Sequence, residues 1–211
     1  MLSRLSHLVL ALLFLPLFAC AADSDQYQEG VHYVTLPQPV PTQTGDKVEV
    51  AEVFWYGCGH CYSFEPLINA WKKSLPEGAE LVRSPAIWRN EMKIHAQMYY
   101  AADALGMLDK LHEPLFSAMH VDHKRLLSED EIFPIFAAQG VDRAQFDKVF
   151  SSFKVRSDVN RADARQRGYK ISGTPELVVN GKYRISSRMT GSQADMLKVA
   201  SYLVDRELAA K

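Results

Sequence analysis

The 211-residue chain is close to charge balance, with 24 Lys and Arg against 25 Asp and Glu, and 47% of its residues are hydrophobic. That balance offers no basic surface for nucleic acid or an anionic membrane, and the length suits one domain, or one domain with an insertion. Three cysteines, Cys20, Cys58 and Cys61, are too few and too closely placed to staple distant segments together.

Residues 1–22 read as a cleavable export signal. Arg4 and His7 precede the apolar run Leu8 to Phe18, which is too short to span a bilayer, and small residues follow at Ala19, Ala21 and Ala22. Cleavage after Ala21 or Ala22 removes Cys20 and leaves both remaining cysteines in one motif. In a rival reading Cys20 is the lipidated first residue of a lipoprotein, a role for which Phe18 is bulky. The exported form is expected to be soluble.

His32 to Leu36 is a short strand, and Pro37, Pro39 and Pro41 make an extended connection after it. Lys47 to Tyr56 is β-rich and mostly apolar, as for a buried central strand. A helix follows directly, with Phe64, Leu67, Ile68 and Trp71 as its apolar face, a kink at Pro66 and an end at Pro76-Glu77-Gly78. Ala79 to Arg83 is a second strand, completing a β-α-β unit. From Asn90 to Phe153 the punctuation is helical, with Gly106, Gly140 and a capping box from Ser128 to Glu131. Pro114 and Pro134 blur the helix ends there, and the Met and aromatic residues read as core.

A further helix, Lys154 to Arg167, carries Arg161, Arg165 and Arg167 on a solvated face and is closed by Gly168 in a left-handed conformation. Glu176 to Asn180 and Lys182 to Ile185 form a hairpin through the type I′ turn Asn180-Gly181. A last helix runs from Gly191-Ser192 to Leu208. The domains expected are residues 23–89 and 163–211 as the two parts of one α/β domain, with residues 90–162 as an all-helical insertion.

Cys58-Gly59-His60-Cys61 follows the strand and opens the helix, putting two thiols one turn apart at a helix start. Unpaired N–H groups and the positive dipole end there favour thiolate, the attacking species in disulfide exchange. The first cysteine projects beyond the helix end and the second lies behind it, so Cys58 is the expected nucleophile and Cys61 the resolving thiol. His60 can add charge and a hydrogen-bond donor. Glu52 sits inside the apolar strand, a costly place for a carboxylate unless it is paired or takes up protons. Tyr62, Phe64 and Glu65 read as helix packing and surface charge.

The element order, with Glu52, Phe54, Cys58-x-His60-Cys61, Tyr62-x-Phe64-Glu65 and Gly173-Thr174-Pro175, resembles the DsbA family of bacterial periplasmic disulfide oxidoreductases. The family fold is α/β, a thioredoxin fold with an inserted all-helical domain. The resemblance spans the chain from Gln26 to the last helix and implies a periplasmic oxidase that donates its Cys58-Cys61 disulfide to unfolded exported proteins. It implies no cofactor beyond that disulfide, a monomer, and reoxidation by a membrane partner of the DsbB type. It also implies that Thr174-Pro175 is a cis-proline loop beside the Cys58 sulfur, with the Thr174 backbone free to pair with a substrate peptide, and that Glu52 assists proton transfer at Cys61.

One departure is Gly59, where the family's most familiar motif has proline. Gly-His also occurs in eukaryotic protein disulfide isomerases, so an isomerase or reductase of the same fold is the alternative, and a chaperone-like binder using the groove near Pro175 is a third reading. Structural zinc on Cys58, Cys61 and histidines competes as chemistry, but no second Cys pair exists and His120-x-x-His123 is too tightly spaced, so no metal is expected.

Overall fold

The computed structural model describes residues 26–211, so the expected signal segment and Cys20 lie outside it. Five strands, β1 (Val34–Thr35), β2 (Val48–Phe54), β3 (Ala79–Pro85), β4 (Glu176–Val179) and β5 (Tyr183–Ser186), form one sheet in the order β1-β5-β4-β2-β3. β2 and β3 are parallel and connected through α1 (Gly59–Lys72), while β2-β4, β4-β5 and β5-β1 are antiparallel. Asn180 and Gly181 have φ values of 51° and 64°, the pair of left-handed residues that a type I′ turn requires. A Cβ on Gly181 would lie 1.9 Å from the Val40 carbonyl oxygen, so the turn admits no side chain there.

β2 is buried at all seven positions. Because side chains alternate across a strand, Val48 and Val50 face one core with Phe64 and Ile68 of α1 and Leu203 of α8 (Gln193–Ala209). Ala51 and Val53 face another with Tyr169 and Val178. The two acids of the strand, Glu49 and Glu52, are three residues apart and therefore enter opposite cores.

Between β3 and β4 lie α2 (Asn90–Ala104), α3 (Leu108–His120), α4 (Glu129–Ala137), α5 (Arg143–Phe150) and α6 (Phe153–Gly168). Their common core holds Met98, Leu111, Leu115, Phe136 and Phe146, and it also receives Phe54, Tyr56 and Cys61 from the motif region. The helix α6 is continuous through residues 162 and 163. Val155 and Val159 in its first half enter the helical core, and Arg165 in its second half reaches Glu49 under the sheet.

Several expectations are corrected. Leu67 is 41% exposed, and of the expected apolar face Phe64 and Ile68 are the fully buried members. The helix stops at Lys72, before Pro76. Pro114 and Pro134, expected to blur helix ends, lie inside α3 and α4, as Pro66 lies inside α1; burial of Leu115 and Phe116 in α3 and of Ile132 and Phe136 in α4 outweighs the hydrogen bond each proline forfeits. The Ser128 hydroxyl does accept from the Glu131 N–H, but the Glu131 carboxylate accepts from Leu127, and the reciprocal box is at Asp142 and Gln145. Gly168 belongs to α6, where a Cβ would press on Val40 at 2.8 Å, and the left-handed residue is Lys170. A short helix, α7 (Ser187–Thr190), intervenes before the last one.

Candidate active site

Cys58 is the N-cap of α1 and half-buried, whereas Cys61, one turn on, is fully buried. Both are free thiols. The Cys58 thiol lies 3.3 Å from the Thr174 carbonyl oxygen, to which it donates. A hydrogen bond from the Cys61 thiol, then bonds from the Thr174 side chain and the Cys61 and His60 backbone N–H groups, outweigh partial burial and hold Cys58 down at about 5. These backbone groups are the unpaired donors of a helix's first turn. Burial, followed by the hydrogen bond to Cys58, pushes Cys61 well above the ordinary thiol range. The two sulfurs therefore differ as a half-buried, low-pKa thiol and a fully buried, high-pKa one.

His60 is exposed, and among the described residues its imidazole has no hydrogen-bond partner. Its backbone N–H helps to hold Cys58 down, and its carbonyl accepts from Ser63 and Gln193. The contribution of His60 that this geometry displays is thus a main-chain one. Gly59 opens α1, and a Cβ there would meet nothing within 4 Å. The bond between Thr174 and Pro175 is cis, and Pro175 is buried beside the half-buried Thr174.

Glu52 is completely buried, and burial pushes its carboxyl up to about 7 despite Arg83, whose Nε donates to Oε2 at 3.1 Å. The other oxygen, Oε1, has no hydrogen-bond partner among the described residues. Its charge also works against ionisation of Cys61. A carboxyl that titrates near neutrality within electrostatic reach of a buried thiol has the acidity that proton exchange at neutral pH requires.

Sequence reasoning missed the network around this acid. Glu65, expected on the surface, is 9% exposed: it accepts from Arg83 at 3.1 Å and from His112 Nε2 at 3.3 Å. Since Nε2 must donate to that carboxylate, a neutral His112 accepts the Tyr56 hydroxyl at Nδ1, 2.7 Å away. Arg83 and His112 come from elements far along the chain, and a histidine beside Leu111 on a helix face is their only sequence signal. Arg165, expected in solvent, is likewise buried against Glu49 and Tyr169. His120 donates Nε2–H to the Tyr56 carbonyl at 2.7 Å and stacks on Tyr62 with ring centroids 4.8 Å apart, tying α3 to the motif. Among the described residues no cluster of His, Cys, Asp or Glu is placed to hold a metal ion.

The family model of the DSBA-like thioredoxin domain matches residues 73–203. The thiol:disulfide interchange protein DsbA of Pseudomonas aeruginosa is 39% identical over 194 residues, covering 92% of each chain. The chain belongs to the DsbA-like family. Its Azotobacter vinelandii relative of the same name is 42% identical over 182 residues, 86% of this chain and 85% of that one. The crystal structure of P. aeruginosa DsbA has a TM-score of 0.84 at 38% identity, covering 89% of this chain and 97% of that chain. The oxidoreductase DsbA from Xylella fastidiosa has a TM-score of 0.79 at 30% identity, covering 84% and 96%. As a DsbA-like protein the chain has the thioredoxin fold with a helical insertion and is a thiol:disulfide oxidoreductase.

Proposed function

We propose that this protein is a periplasmic oxidase that transfers its Cys58-Cys61 disulfide to newly exported, unfolded proteins. The observation that carries the direction of transfer is the contrast between the two thiols: Cys58 held at about 5 and Cys61 pushed well up. Whatever stabilises the Cys58 thiolate stabilises the reduced enzyme, and a stable reduced form makes the disulfide a stronger oxidant.

In the first step a substrate thiolate attacks Cys58 Sγ. The Cys58-Cys61 bond breaks, and Cys61 leaves with the bonding pair and takes up a proton, for which the protonated Glu52 carboxyl is the donor in this reading. A second substrate thiolate then attacks the substrate sulfur of the mixed disulfide, and Cys58 leaves as the thiolate. Two electrons pass from the substrate dithiol to the enzyme, and no cofactor beyond the enzyme disulfide is needed. Thr174, with Pro175 behind it, presents its carbonyl beside the reacting sulfur, where an extended substrate backbone can pair. His60 contributes through its main chain.

Reoxidation falls to a membrane partner of the DsbB type, and the enzyme acts as a monomer. Equilibration with glutathione buffers tests the assignment. The disulfide of an oxidase gives way to the reduced form even under mild reducing ratios, because the protein readily takes electrons. A potential close to that of thioredoxin places the protein with the reductases and refutes the oxidase reading.

A further inference from the structure

A cavity of about 310 Å³ opens beside Thr174, so its wall begins at the residue whose carbonyl meets the Cys58 sulfur. Three charged side chains line it: Glu176, Arg184 and Arg188. Glu176 is 4% exposed and its charge is paired with Arg184, although its Oε2 has no hydrogen bond among the described residues. Its Oε1 accepts from the Ser172 hydroxyl at 3.0 Å, and its Oε2 lies 3.8 Å from Arg184 Nε. Arg184 is engaged twice, by Glu176 and by the Lys170 carbonyl. Arg188, on α7, is exposed and has no ion-pair or hydrogen-bond partner among the described residues. The charge that the cavity offers a visitor is therefore the guanidinium of Arg188.

We propose that this cavity selects substrate segments carrying a carboxylate next to the reacting cysteine, with Arg188 as the group that recognises it; the inference rests on the oxidase reading above. A peptide paired along Thr174 with its cysteine at Cys58 places the neighbouring side chain over this cavity. A guanidinium matches a carboxylate with two parallel hydrogen bonds, and the peptide shields the pair from water as it docks. A lysine at the same position meets a like charge, so the site discriminates by repulsion as well as attraction.

The test uses the oxidised mature protein and dithiol peptides that are identical except for Asp, Asn or Lys beside one cysteine. Peptide oxidation is followed under single-turnover conditions, with dithiothreitol as an uncharged control. The readout is the Asp-to-Lys rate ratio in the native protein divided by that in Arg188→Gln and Arg188→Glu, which cancels both the intrinsic reactivity of each peptide and any general loss of activity. A shielded surface pair predicts a ratio about two- to fivefold higher in the native protein than in Arg188→Gln, and a reversed preference in Arg188→Glu. The native preference should also collapse near 1 M salt, where charges are screened within about 3 Å. A ratio unaffected by either substitution overturns the proposal while leaving the oxidase reading intact. Failure to oxidise dithiothreitol overturns both.

Discussion

The Sγ atom of Cys58 lies 3.3 Å from the carbonyl oxygen of Thr174, 116 positions further along the chain. One end of a helix and one loop before a strand thus share a single reacting atom. The loop reaches that place because β4 pairs with β2 in a register that sets Glu176 opposite Val53, five residues before Cys58 in sequence. Changes at either end should therefore be felt at the same sulfur.

The hydrogen bond from Cys61 is the foremost influence holding Cys58 down, and the imidazole of His60 has no partner among the described residues. Thiolate titration by ultraviolet absorbance should therefore show that Cys61→Ala raises the Cys58 pKa by more than about one unit, and His60→Leu by less. The reverse order would restore the imidazole charge as the main cause.

Gly59 is the first residue of α1, and the main-chain donors that reach the Cys58 sulfur belong to His60 and Cys61. Proline is favoured at a first helical position and restricts the unfolded chain. Gly59→Pro should fold and gain about 0.4–1 kcal/mol in urea unfolding, with Cys58 still titrating near its native value. A loss of stability would mean that the glycine is needed for a backbone shape that proline cannot adopt.

Glu52 titrates at about 7 because it is buried, so below that pH its carboxyl holds a proton for the departing Cys61. Once the rate of substrate oxidation is corrected for substrate thiolate, it should fall as pH rises through about 7. In Glu52→Gln this inflection should be missing. An unchanged profile would remove Glu52 from the proton transfer.

The reduced protein owes pH-dependent stability to Cys58. Its folded pKa of about 5 lies below the ordinary 9.0, so the contribution is complete above pH 9 and is lost as pH falls toward 5. The oxidised protein has no such thiol. Urea unfolding of both forms across this range should show the reduced form losing ground steadily to the oxidised form as the solution is acidified.

Glu49 is buried on the face of β2 opposite Glu52, with Arg165 as its counter-charge and a further hydrogen bond from the Gln43 N–H at 2.6 Å. Arg165→Leu leaves that carboxylate without its partner. Loss of one member of a buried pair costs about 3–5 kcal/mol, readable as a lower midpoint in denaturant. A neutral result would show that water or the Tyr169 hydroxyl can replace the guanidinium.

Features are legible in the sequence where the physics is local. The β-branching of β2, the Asn180-Gly181 turn and the placing of two thiols at a helix start depend on neighbours a few residues away, and a linear chain displays them. The same local view puts Glu65 and Arg165 in solvent, where the structure does not. Helical spacing shows which residues share a face, but not which polar member of a face will meet a buried opposite charge from another element.

The motif, the order of elements and hence the kind of chemistry belong to the chain as a linear string. The spacing of the two cysteines at a helix start already names Cys58 as the outer thiol, but how far apart they titrate is a property of the folded molecule. Cys58 is a low-pKa thiol because Thr174 and the first turn of α1 surround it, and Cys61 a high-pKa one because α1 carries it into the core built by the helical segment. Desolvation and hydrogen bonding act through space over a few ångströms, so these properties exist only once folding has brought the distant segments together.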